Sequence, residues 1–176
     1  DDETFLTRIV RSFHDAGVND VVVVVGHEAD AVRASLLDHG VRLKPDPTAA
    51  GVGDRPHSDR RVRLVLNPAY ESGQLSSLLA GLNAVDGPDV RAMLMTLVDV
   101  PAASAATIQR VIDCYFETNA PVVRPVRGDE HGHPVLIDRR LFDKLRAANP
   151  AEGAKPIVRA YASEPGNVAV DDEGAF

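Results

Sequence analysis

Three short segments carry side chains whose types and spacing can do chemistry. In LMTLVDVPAAS, residues 94–104, an apolar run over 93–98 stops at a lone carboxylate, Asp99, followed by Val100 and Pro101. A carboxylate at the end of a buried strand can hold Mg²⁺, which takes one or two carboxylates and fills its other positions with substrate phosphates and water. Pro101 discourages the strand from continuing. The same residues also suit a turn or a cap for the next helix, and the local pattern alone favours that plainer role.

The second segment is NPAYESGQLSSLLAGL, residues 67–82. Asn67, Ser72 and Gly73 lead into a helix with Ser76 and Ser77 in its first turn. Free N–H groups at such a terminus suit phosphates or the polar edge of a nucleotide, and glycine lets a ligand approach the backbone. An ordinary capped helix would read the same way. The third is RGDEHGHPVLI, residues 127–137, where His131 and His133 flank Gly132. H-x-H can be a metal pair, but no other His or Cys is grouped nearby, so a loop contacting substrate is the better reading. A polar hairpin turn is the alternative.

The elements that must position these residues follow from periodicity and breakers. Thr4 can cap a helix carrying Phe5, Leu6, Ile9, Val10 and Phe13, stopped by Gly17. DVVVVVG, residues 20–26, is too short for a helix and too apolar for a half-exposed strand. It predicts an interior parallel strand buried on both faces. A helix over 27–39 should turn Val32, Leu36 and Leu37 inward. Residues 43–61 read as a loop inside one domain. A strand over 62–66, a helix marked by Leu75, Leu78, Leu79, Leu82 and Val85, and a strand over 93–98 come next. Ser104 can cap a helix carrying Ile108, Val111, Ile112, Tyr115 and Phe116. Strands over 120–126 and 133–137 flank a turn at Gly128, the first irregular or at an edge because of Pro125. Helices over 139–147 and 154–161 and a strand over 167–170 close the chain. This alternation predicts a three-layer α/β/α fold with a mostly parallel sheet and an antiparallel edge from the closing strands. Ligands of such sheets sit beyond the carboxyl ends of the strands, where Asp99 falls.

The 176 residues suit a single domain, and 44% hydrophobic with 26% charged residues is a globular composition. A net charge of −7 argues against a nucleic-acid binder relying on bulk positive charge, while leaving room for a small anionic ligand at a local patch or metal. The single cysteine, Cys114, excludes an intrachain disulfide and reads as a packing residue. No signal peptide or membrane-spanning run is evident, so no membrane partner is expected and the cytoplasm is the expected location.

Taken together and in order, AGVNDVVVVVG, NPAYESGQLSSLLAGL, LVDVP, HGHPVLI and the weaker AEGAK make the chain resemble the molybdenum-cofactor cytidylyltransferase family. That family lies within the Rossmann-like nucleotidyltransferases of the nucleotide-diphospho-sugar transferase type. The resemblance implies transfer of CMP from CTP to a molybdopterin-type cofactor with release of pyrophosphate, and a molybdoenzyme as recipient of the product. It implies that Asp99 is the catalytic, Mg²⁺-binding carboxylate. Asn67, Gly73, Ser76 and Ser77 would belong to the nucleotide pocket, with GQLSSL closer to the cytidylyl version than to the GPLAG of guanylyl relatives. Gly132, His133 and Pro134 would lie on the acceptor side.

The chain also departs from that pattern. The family's opening strand and glycine-rich loop, LAAGxSxRMGxxK, would precede DDETFLTRI, and its closing DIDTPEDL would follow VDDEGAF. Residues 1–176 are therefore expected to form one nucleotidyltransferase-like domain without its first strand and C-terminal end. Asp171 and Asp172 are poor substitutes for the family's second acidic ligand. Ala151 stands where relatives often carry Asp, Lys155 replaces their Arg, and His131 replaces the usual Arg of HGHP. Two alternatives stay open: transfer to a sugar or polyol phosphate, and a non-catalytic nucleotide-binding relative.

Overall fold

In the computed structural model, which describes residues 3–44, 60–100 and 103–176, the chain opens with helix α1 (Phe5–Asp15). Thr4 caps it as expected, its Oγ1 accepting from the Thr7 N–H at 3.2 Å. There follow β1 (Asp20–Val25), α2 (Ala29–Asp38), β2 (Arg61–Leu66), α3 (Gln74–Val85), β3 (Ala92–Met95) and α4 (Ala105–Thr118). The closing half comprises β4 (Val122–Arg127), β5 (Glu130–His131), β6 (Val135–Asp138), α5 (Phe142–Arg146), α6 (Lys155–Tyr161) and β7 (Asn167–Ala169). Residues 45–59, most of the expected loop, and Pro101 lie outside the described residues.

The α/β class is as expected, with a sheet that is partly parallel and partly antiparallel. β1 and β2 pair in parallel, Asp20 opposite Arg61 through to Val25 opposite Leu66. A second path runs β3–β6–β4–β5 with antiparallel pairing throughout, and β7 lies parallel to β4. The antiparallel part is thus more than an edge. The short turn at Gly128 joins β4 to β5, and a connection that short cannot make a parallel crossover.

Successive side chains of β4 and β6 pack alternately into two clusters and define three layers. Val123 and Leu136 pack with Ile108, Val111 and Tyr115 of α4 and with Ile9 and Phe13 of α1. Val122, Val135 and Ile137 pack on the other face with Leu82 of α3 and with Phe142 and Leu145 of α5. This period-2 division between two helical layers gives the sheet its covered faces.

Four local expectations are corrected. β1 pairs in parallel, but among the described residues it has one strand neighbour, and Val21, Val22 and Val24 are only half-buried. Leu37 is exposed, because α2 turns Leu36 inward one position earlier. Pro125 is fully buried inside β4 instead of marking an edge. It lies opposite Val168 of β7 and between the residues that pair with β6, Val122 and Val123, and those that pair with β5, Val126 and Arg127, so its missing N–H interrupts neither antiparallel ladder. β3 stops at Met95, opposite Val135, not at Val98. The next residue on the partner side, Pro134, has no N–H with which to extend the ladder.

Candidate active site at the carboxyl edge of the strands

β2 ends at Leu66 and Asn67 begins the loop into α3. The Asn67 side chain is buried and acts as the hub of that loop. Its Nδ2 donates to Ser76 Oγ at 2.8 Å and Ser77 Oγ at 3.0 Å, and its Oδ1 accepts from the Ala69 N–H at 3.0 Å. Ser76 Oγ lies 2.8 Å from the Gly73 carbonyl and Ser72 Oγ donates to the Ala69 carbonyl at 2.6 Å. Gly73 precedes α3 at φ 108°, a backbone state that a side chain would strain, although the space beside it is open. No side chain caps α3 there; the Ser76 N–H is taken by the Gly73 carbonyl at 3.1 Å, while the N–H groups of Gln74 and Leu75 stay available to a polar ligand.

Arg63 Nη1 of β2 donates to the Ala84 carbonyl near the end of α3 at 2.6 Å, so the helix runs back along the strand. Loops 67–73 and 96–100 follow the carboxyl ends of β2 and β3, which belong to two separately paired sheets. The loop after β1 adjoins the loop after β2: the rings of His27 and Tyr70 lie 6.2 Å apart.

Asp99 lies in a turn four residues beyond β3, not at the strand's end. Its carboxylate is exposed and makes no hydrogen bond or ion pair with any described residue. Its negative charge acts on His133, whose Nδ1 lies 3.5 Å from the Met95 carbonyl. Burial pushes the His133 pKa below the usual imidazole value, against the opposing pull of Met95 and Asp99. His133 is followed by Pro134 at the start of β6. Gly132 is buried, and a Cβ there would overlap the carbonyl of Ala175. Its N–H donates to the Pro125 carbonyl at 2.9 Å, and the His133 N–H donates to the Ala175 carbonyl at 2.7 Å. The chain's final turn thus supports the 132–134 segment from beneath.

The expected residues form two clusters beyond the carboxyl ends of β2 and β3: Asn67, Gly73, Ser76 and Ser77 in one, Asp99 with Gly132, His133 and Pro134 in the other. Among the described residues no hydrogen bond joins them. Nor does any group of three or more His, Cys, Asp or Glu stand together. A divalent cation at Asp99 would accordingly draw its other ligands from phosphate and water, which suits Mg²⁺. His131 is exposed on β5.

Two carboxylates that the sequence reading did not single out for this work organise the surroundings. Asp172 Oδ2 accepts from the Ser104 N–H at 2.9 Å, Ser104 Oγ at 2.8 Å and Thr107 Oγ1 at 2.6 Å, clamping the start of α4. Burial alone would raise its pKa, but these donors hold it below the usual carboxylate range. Its Oδ2 is thus engaged in holding the start of α4. Buried Asp138 accepts from Tyr115 Oη at 2.7 Å and Arg140 Nε at 2.9 Å. Cys114 packs at the edge of the core, 3.2 Å from the Pro165 carbonyl.

The family pattern of the MobA-like NTP transferase domain matches residues 1–165. Among solved structures, the chain is similar to Rv0371c in complex with manganese from Mycobacterium tuberculosis H37Rv, at 23% identity and TM-score 0.67, covering 97% of this chain and 78% of that one. A homologue of Rv0371c from Mycobacterium sp. strain JC1 is similar at 21% identity and TM-score 0.64, over 97% and 74% of the two chains. 4-Diphosphocytidyl-2C-methyl-D-erythritol synthase from Anaerococcus prevotii DSM 20548 shares the fold at 13% identity and TM-score 0.63, over 99% and 79%. No curated protein matches the sequence. Among the described residues, no helix is long and apolar enough to cross a membrane.

Proposed function

This chain belongs to the MobA-like NTP transferase family and is a nucleotidyltransferase; we propose that it transfers CMP from CTP to a molybdopterin-type acceptor with Mg²⁺ as cofactor. The observation that carries this reading is the free carboxylate of Asp99, within electrostatic reach of His133 and, like the loop ordered by Asn67, just beyond the carboxyl end of a strand. GQLSSL supports CTP over GTP. A divalent cation is supported by Rv0371c, which was solved with manganese.

Asn67, Ser76 and Ser77 hold the loop so that the first amides of α3 and the backbone at Gly73 meet the nucleotide. An oxygen of the acceptor phosphate attacks the α-phosphorus in line. The new P–O bond forms as the bond to the bridging oxygen breaks, and pyrophosphate leaves. Mg²⁺ held by Asp99 would neutralise the charge that builds on the phosphates. His133, kept neutral by burial, offers the acceptor a hydrogen-bonding ring without adding charge. The chain's own contribution is positioning and electrostatics.

Titration calorimetry on the full-length protein with CTP, GTP and ATP, each with and without Mg²⁺, tests the reading. The expected result is Mg²⁺-dependent binding selective for CTP. In Asp99→Ala the metal-dependent part disappears, while stability changes by less than about 0.5 kcal/mol because an exposed side chain is removed. Preference for another nucleotide would discard the molybdopterin assignment. A sugar or polyol phosphate acceptor, which the fold shared with the erythritol synthase favours, would then lead. Binding of none would point to a non-catalytic relative.

A further inference from the structure

At the opposite end of β1 and β2, three arginines converge on one cleft. It has a volume of about 290 Å³ and is lined by Arg11, Arg42, Arg60, His14, His39 and Thr7, among others. Such a concentration of guanidinium groups is unexpected in a chain with net charge −7. Arg11 is held by Glu3 at 2.9 Å and Arg60 by Asp15 at 3.2 Å. Neither carboxylate lines the cleft, so each orients a guanidinium from outside it. One ion pair uses a fraction of a guanidinium's five N–H donors. The Arg42 side chain makes no hydrogen bond or ion pair with any described residue, and its backbone carbonyl is fixed by the Val62 N–H at 2.8 Å.

The second observation is His14. Its side chain is only 8% exposed, and among the described residues its Nε2 has no hydrogen-bond partner. A buried polar atom left in that state is unfavourable unless something supplies its bond. Burial first, and the positive charge of Arg60 second, push its pKa down, against the weaker pull of Asp15. An anion among the three arginines would reverse the effect of Arg60 and give Nε2 a partner.

We propose that this cleft is a second binding site, distinct from the nucleotidyl-transfer edge, for a phosphate-type oxyanion held by Arg11, Arg42, Arg60 and His14. Guanidinium forks match phosphate oxygens in pairs, which favours phosphate over a single carboxylate. The site adjoins the start of β2, whose six residues at ~3.3 Å each separate it by roughly 20 Å from Asn67. It does not depend on the reaction proposed above.

The test is NMR of the His14 ring signals in the full-length, metal-free protein, titrated with inorganic phosphate and with pyrophosphate. Saturable 1:1 shifts at His14 with either anion are expected, the tighter one separating a single phosphoryl group from a diphosphate. Arg42→Gln should weaken binding at least tenfold, with folding retained because Arg42 is exposed; Asp99→Ala should leave it unchanged. Shifts that grow linearly with salt, that survive undiminished in Arg42→Gln, or that vanish in Asp99→Ala would overturn the proposal.

Discussion

Asn67 does its work as a strut. All the contacts of its carboxamide are internal, joining the end of β2 to the first turn of α3. Asn67→Ala should therefore lower both stability and nucleotide affinity, the former by about 1–3 kcal/mol from the orphaned Ala69 N–H and Ser77 hydroxyl. Urea unfolding and calorimetry on the same preparation would check this; weakened binding at unchanged stability would make Asn67 a direct ligand instead. At this scale, legibility depends on how far away a residue's partners lie. Asp99 stood out because it interrupts an apolar run, and Asn67, Ser76 and Ser77 lie close enough in sequence for a shared loop to be read. The structural work of Asp138 and Asp172 was hidden, since Tyr115 is 23 positions and Ser104 is 68 positions away.

Helix α4 shows how one element is set from two places. Ser104 caps it locally, as its residue type predicts, with Oγ 3.2 Å from the Thr107 N–H. Asp172 caps it again from the chain's last segment. Ser104→Ala should cost about 1 kcal/mol, and Asp172→Ala about 2–3 kcal/mol through its charged hydrogen bonds. Because both act on one helix terminus, the double variant should lose less than the sum, a coupling that a double-mutant cycle would measure. Strict additivity would mean the two caps are independent. Helices α1, α3 and α4 were legible because their apolar spacing and caps are local. The end of β3 and the place of Pro125 were not, because a strand's limits are set by its neighbours in the sheet.

Across the whole molecule, acid should act in two steps. Folding lowers the pKa values of His14 and His133, chiefly through burial. The unfolded chain then binds protons more readily, so this stability is full above about pH 6.5 and falls as pH drops through the folded values. The pKa values of Asp138 and Asp172 are also lowered: burial opposes the shift, and their hydrogen-bond donors win. Their contribution is full above about pH 3.9 and is lost below it. Urea midpoints should decline first as pH falls below about 6.5 and again below about pH 3.9; a midpoint that stays flat as pH falls below about 6.5 would contradict neutral buried imidazoles. The clamp of Asp172 on Ser104 also bears on the order of synthesis. The loop carrying Asp99 is made before residue 172, so a nascent copy holds the far end of that loop without this clamp until residue 172 has been made.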